Sequence, residues 1–155
     1  MSFLISALPI DVFQPMFAMS DDELAARGAV RQVVEQANAT PCRVSLEDAR
    51  VGERVLLVNY EHQPANNPYR SRYAVFVREG AQPARPAVNE VPDMLQRRLL
   101  SVRAFDARDM LADADVVDGR ELAPALERML ASAATAYVHV HFARPGCYAA
   151  RVDRA

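Results

Sequence analysis

Lysine is missing from this 155-residue chain, and so is tryptophan. The eighteen cationic side chains are all arginine and face twenty acidic ones, for a formal net charge of −2. With a pI near 5.9, that balance excludes the broadly basic surface that nucleic acid selects. Twenty-seven alanines accompany the arginines, a pairing that genome base composition explains without any functional choice. Cysteine is scarce: Cys42 and Cys147 lie far apart and form no CxxC pair. Runs of five like charges, internal repeats and low-complexity tracts are absent, so there is no basic arm, no acidic tail and no linker that would divide the chain. The stretch Met1-Ser2-Phe3-Leu4-Ile5-Ser6 carries no Lys or Arg and is soon interrupted by Asp11, so it reads as neither a signal peptide nor a membrane span. Together these absences predict a cytoplasmic protein with reduced thiols and no nucleic-acid or membrane partner.

What is present suffices for a core. The chain is 51% hydrophobic, too apolar for disorder, and a chain of this length buries about 68–70% of its unfolded surface. One domain over residues 1–155 is expected. Phe3 to Ala7 reads as a first strand, and Ser20 with Glu23 forms a capping box over a short helix that Gly28 stops. Ala29 to Gln36 and Pro41 to Ser45 read as strands, the latter ending at a second helix cap, with Ser45 leading Leu46-Glu47-Asp48. Arg54 to Tyr60 is continuous and β-branched, which fits a central strand; Tyr73 to Arg78 is its antiparallel partner. Leu99 to Phe105 and Met110 to Val117 follow as strands. The longer helix spans about Gly119 to Ala133, with Asp118 as N-cap and Glu121 completing a second box; Leu122, Leu126, Met129 and Leu130 share one face. Tyr137 to Phe142 and Cys147 to Arg151 form a hairpin about Pro145-Gly146. Many strands, few helices and no βαβ rhythm predict an α+β fold on a mainly antiparallel sheet.

Two segments carry candidate chemistry. In Tyr137-Val138-His139-Val140-His141-Phe142, period-two alternation puts Tyr137, His139 and His141 on one face and the apolar residues on the other. A two-residue turn sets His141 opposite Ala150 and His139 opposite Val152, with Tyr148 on the histidine face. His139 and His141 are candidates for general acid/base work and for chelating a metal, although no third ligand is evident; the competing reading is a polar strand face open to solvent. The second segment, Glu61 to Arg72, is a long loop dense in hydrogen-bonding groups, and such loops are often functional. His62 is a further acid/base candidate, while Tyr69, Arg70 and Arg72 offer an aromatic face and guanidinium forks suited to carboxylate or phosphate. Arg43 is an additional anion ligand. Cys42 and Cys147 are candidate thiols, weighed against structural burial.

Pro41-Cys42-Arg43-Val44-Ser45-Leu46-Glu47-Asp48-Ala49, Val51-Gly52-Glu53, Asn59-Tyr60-Glu61-His62, Pro68-Tyr69-Arg70, Phe76-Val77-Arg78-Glu79, His139-x-His141 and Gly146-Cys147-Tyr148-Ala149-Ala150-Arg151 together resemble the bacterial domain-of-unknown-function family numbered 1203. The resemblance covers nearly the whole chain. It implies a short stand-alone domain and brings no assigned activity or cofactor. The sequence departs from the family pattern at Tyr73-Ala74, where a Gly-Pro step is expected, and at Phe142, where a small polar residue is expected.

Three functions stay open on the sequence. The first is an enzyme or binding protein for a small anionic metabolite, joining the central loop to the terminal hairpin in a His/Arg/Tyr pocket with Tyr148 as a further ligand. The second is a transition-metal site on His139 and His141. The third is a homodimeric structural or interaction protein. No cofactor is predicted.

Overall fold

Short apolar runs bounded by polar turns become strands along most of this chain. The structure, a computed structural model, describes residues 1–155. Its strands are β1 (Phe3–Ser6), β2 (Ala29–Val33), β3 (Arg54–Gln63), β4 (Ser71–Arg78), β5 (Leu99–Phe105), β6 (Leu111–Asp118), β7 (Tyr137–Phe142) and β8 (Tyr148–Arg154). Its α-helices are α1 (Asp21–Ala26), α2 (Asp93–Gln96) and α3 (Leu122–Ala131). None is long and apolar enough to cross a membrane. Every strand pairing in the two sheets is antiparallel, one sheet running β1-β8-β7-β5-β6 and the other β2-β3-β4. The fold is α+β and dominated by sheet.

Each sheet has its own core. In the larger one, Leu100, Val102 and Ala104 of β5 alternate inward with Val138, Val140 and Phe142 of β7, under Leu122, Leu126, Met129 and Leu130 of α3. Helix α3 therefore buries the apolar stripe that its sequence spells out. In the smaller sheet, Leu56, Val58, Val75 and Val77 pack with Phe13, Met16 and Leu24. Ser20 accepts from the Glu23 amide at 3.2 Å and Glu23 accepts from the Ser20 amide at 2.8 Å, so the first capping box forms. Asp118 also caps, accepting from the Arg120 amide at 2.9 Å. The first turn there is a 3-10 turn over Gly119–Glu121, Glu121 makes no cap hydrogen bond, and the α-helix ends at Ala131. At the sheet edge, β6 is exposed nearly throughout and carries Asp113 and Asp115, each 3.0 Å from Arg128. Such charges discourage further strand addition.

Three local expectations differ from the structure. Pro41 to Ser45 is no strand: it makes only isolated bridges, because the Cys42 amide and carbonyl both close a local turn with Glu47 and Leu46. Ser45 starts no helix either, since Leu46 adopts φ +52°. In the terminal hairpin, His139 faces Arg151 and His141 faces Tyr148, with a bulge between Val140 and His141. That bulge absorbs a residue and lets Tyr148 and Arg151, three apart in sequence, both accompany the histidines.

Candidate functional site

At β7 the polar face of the five-stranded sheet does not meet solvent. All six residues of β7 are buried, because the second sheet lies against that face and β3 carries His62 into it. β3 continues to Gln63, three residues past its expected end, so His62 belongs to a strand and not to the loop. The His62 ring stacks on Tyr148, with centroids 5.3 Å apart and planes 16° from parallel. It stands edge-on to His141 at 5.2 Å and to His139 at 6.4 Å. The central segment and the terminal hairpin thus meet at a seam between the two sheets.

A hydrogen-bonded frame holds the seam. The Gln63 amide donates to the Tyr137 hydroxyl at 2.8 Å, and that hydroxyl donates to Asp109 at 2.7 Å. Burial, with the Asp109 bond added, pushes the Tyr137 phenol up to about 12, which keeps it a neutral donor. Asn67 donates to the carbonyls of Arg108 and Asp109 and accepts from the Tyr69 amide at 2.8 Å. These bonds tie the 64–70 turn to the β5–β6 turn and bring the Tyr69 ring edge-on to Phe105 at 6.0 Å.

His62, Gln63, Tyr69, Arg103, His139 and His141 are among the residues lining a cavity of about 180 Å³ at this seam. The three imidazoles there are neutral. Burial first, then repulsion from His62 and nearby arginines, holds His139 down to about 3. Burial and Arg103 do the same for His141, also to about 3. His62 is lowered by burial and by Arg103. The His141 Nδ1–H donates to the Gly146 carbonyl at 3.0 Å; in a neutral ring this leaves Nε2 as the acceptor. Nδ1 of His62 and Nδ1 of His139 are buried without any partner. Buried polar atoms are normally satisfied, and these two belong to residues that line the same cavity.

Arg103 is the residue that sequence reading missed. On β5 it pairs directly with His139, and its side chain bonds only Ser101 Oγ, at 3.2 Å. It is half-buried, and no carboxylate pairs with it. The signal was present: Leu100, Val102 and Ala104 take the core side, which sends Ser101, Arg103 and Phe105 to the histidine face.

The expected anion ligands Arg43, Arg70 and Arg72 lie apart from this cavity. Arg70 is exposed and paired with Glu61 at 3.2 Å. Arg72 is exposed and engages Asn59. Arg43 is buried beside Cys147, 2.9 Å from its sulfur. Both thiols, Cys42 and Cys147, are buried and unpaired. No group of three or more His, Cys, Asp or Glu side chains is arranged to hold a metal ion.

No curated protein and no solved structure matches this chain. One family model does, over residues 39–154, and these include every residue of the seam. The chain belongs to the family described as protein of unknown function DUF1203.

Proposed function

We propose that the seam cavity binds a small anionic metabolite, with the oxyanion on Arg103 and the remainder of the ligand hydrogen-bonded by His62, His139 and His141. The observation that carries this reading is Arg103: a half-buried guanidinium, always ionised, that faces a cavity among neutral imidazoles with no carboxylate of its own. An unpaired cation removed from water is costly, and a bound carboxylate or phosphate compensates it with charge-assisted hydrogen bonds. The cavity is smaller than the roughly 300–1,000 Å³ of drug-sized sites, which favours a short acid over a nucleotide.

The same electrostatics bear on catalysis. A general acid works best with a pKa near the working pH, and histidines held near 3 carry no proton to give at neutrality. The free site is therefore built to hold a ligand rather than to protonate one. A bound anion favours the imidazolium form of its neighbours, so binding takes up protons and tightens as pH falls. The two reduced thiols fit a cytoplasmic setting.

Titration with acetate, malonate and inorganic phosphate, followed through the histidine ring resonances, tests the reading. At least one anion should give saturable shifts. Arg103→Gln should weaken that binding by about 10- to 100-fold, the worth of a hydrogen bond to a charged group, with the thermal transition preserved. Arg70→Ala should leave it unchanged. Saturable binding of undiminished affinity in Arg103→Gln would sink the proposal.

A further inference from the structure

A second cavity, of about 470 Å³, shares no lining residue with the histidine site. Its size is that of an ordinary small-molecule pocket. Phe76, Leu99, Phe142 and Pro145 give it apolar walls, and Arg43, Arg97, Arg98 and Arg144 line it together with Cys147. No acidic side chain is part of that lining. In a chain of net charge −2, four guanidinium groups on one concavity are a strong local reversal of sign, and low-dielectric walls focus such a field.

Arg43 is the buried member of this group. It is only 1% exposed and has no carboxylate partner. Its Nε donates to the Tyr148 carbonyl at 2.7 Å, one terminal nitrogen to the Pro41 carbonyl at 2.6 Å, and the other to Cys147 Sγ at 2.9 Å. The guanidinium carbons of Arg43 and Arg98 both lie over the Phe142 ring, 4.9 and 5.1 Å from its centroid. Asp48, 2.6 Å from Arg98, and Asp93, 3.8 Å from Arg97, offset two of the four charges from outside the cavity. Arg144 is exposed and has no ion-pair partner. The chain thus supplies two carbonyls and a sulfur to its most buried cation, and leaves positive charge turned toward an open, apolar-walled space.

We infer that this cavity is a second binding site, for an organic anion with a flat apolar body such as an aromatic carboxylate, with the Cys147 sulfur at its floor. The apolar body lies against Phe76, Leu99 and Phe142. The carboxylate meets the arginines, whose paired donors match two oxygens. This inference is independent of the histidine site.

Alkylation reads the pocket through its own thiol. In the reaction of Cys147 with iodoacetate, sulfur bonds to the methylene carbon, iodide leaves, and the thiol proton passes to solvent; iodoacetamide does the same without a charge. The two rates at Cys147, followed by peptide mass spectrometry, are compared with those of N-acetylcysteinamide. A focused cationic pocket should raise the iodoacetate-to-iodoacetamide ratio by about tenfold or more over that reference. Benzoate should slow both reactions. The surface double variant Arg97→Gln/Arg144→Gln should bring the ratio back toward the reference, whereas Arg103→Gln should leave it as it is. A ratio no higher than the reference, no alkylation of Cys147 by either reagent, no protection by benzoate, or a ratio unchanged in the double variant overturns the inference.

Discussion

His139 and His141 are 3% and 2% exposed, and their chemistry follows from that burial more than from their identity. Each titrates near 6.5 when unfolded and near 3 when folded, so between those values the unfolded chain binds more protons. Their contribution to stability is complete above about pH 6.5 and is lost as pH falls toward 3, with a slope of at most about 1.4 kcal/mol per pH unit for each. His141→Asn, which still offers a donor for the Gly146 carbonyl, should flatten the acid limb of a denaturant-midpoint profile across that interval. A profile with the wild-type slope would show that His141 is not depressed. Period-two alternation made the shared face of the two histidines legible in the sequence. What alternation could not show is what lies above that face, because burial by a second sheet depends on partners distant along the chain. Alternation also gives the face of Arg103 on β5; that this face is the histidine face depends on the pairing of β5 with β7, which the sequence does not spell out.

At the scale of elements, most strands are where their apolar runs put them, and the differences arise where backbone geometry overrides pattern. Pro41 to Ser45 has strand-like residues, yet the hydrogen bonds around Cys42 turn it back on itself. The terminal hairpin is displaced from its expected register by one residue at His139 and by two at His141, because a bulge cannot be read from composition. Gly119 illustrates a packing constraint that the capping pattern at Asp118 conceals. A Cβ there would lie 2.0 Å from the Leu95 carbonyl oxygen and 2.8 Å from that of Arg98, backbone atoms with no rotamer to change. Its amide meanwhile donates to the Arg98 carbonyl at 2.8 Å. Helix α2 and the start of α3 are thus in backbone contact through this residue. Gly119→Ala should cost about 3 kcal/mol, at the upper end of ordinary overpacking, measured as a lower urea midpoint with an unchanged slope. A cost below about 0.5 kcal/mol, the range of ordinary surface changes, would mean that the two segments move apart freely.

For the whole molecule, the decisive feature is that two sheets with separate cores meet across a polar, aromatic seam. Tyr148 belongs to the five-stranded sheet by its backbone and to the other core by its ring. Removing that ring in Tyr148→Ala should cost about 3–5 kcal/mol and uncouple the halves. Amide hydrogen exchange of β3 and of β7 should then report different opening free energies, where the wild type reports one. Equal protection in the variant would place the coupling elsewhere, in the Gln63–Tyr137–Asp109 frame. The sheet pairing carries a further consequence, which concerns time. Phe3 pairs with Arg154, so β8 must find β1 across almost all of the intervening chain, and closures of that span are slow. Cys147 lines the arginine cavity, and the Tyr148 ring stacks on His62. Until β8 docks, the His62 ring has nothing to stack on and the Arg43 guanidinium has neither its sulfur nor the Tyr148 carbonyl. The arginine cluster and the histidine cluster are therefore completed by the same two consecutive residues, Cys147 and Tyr148.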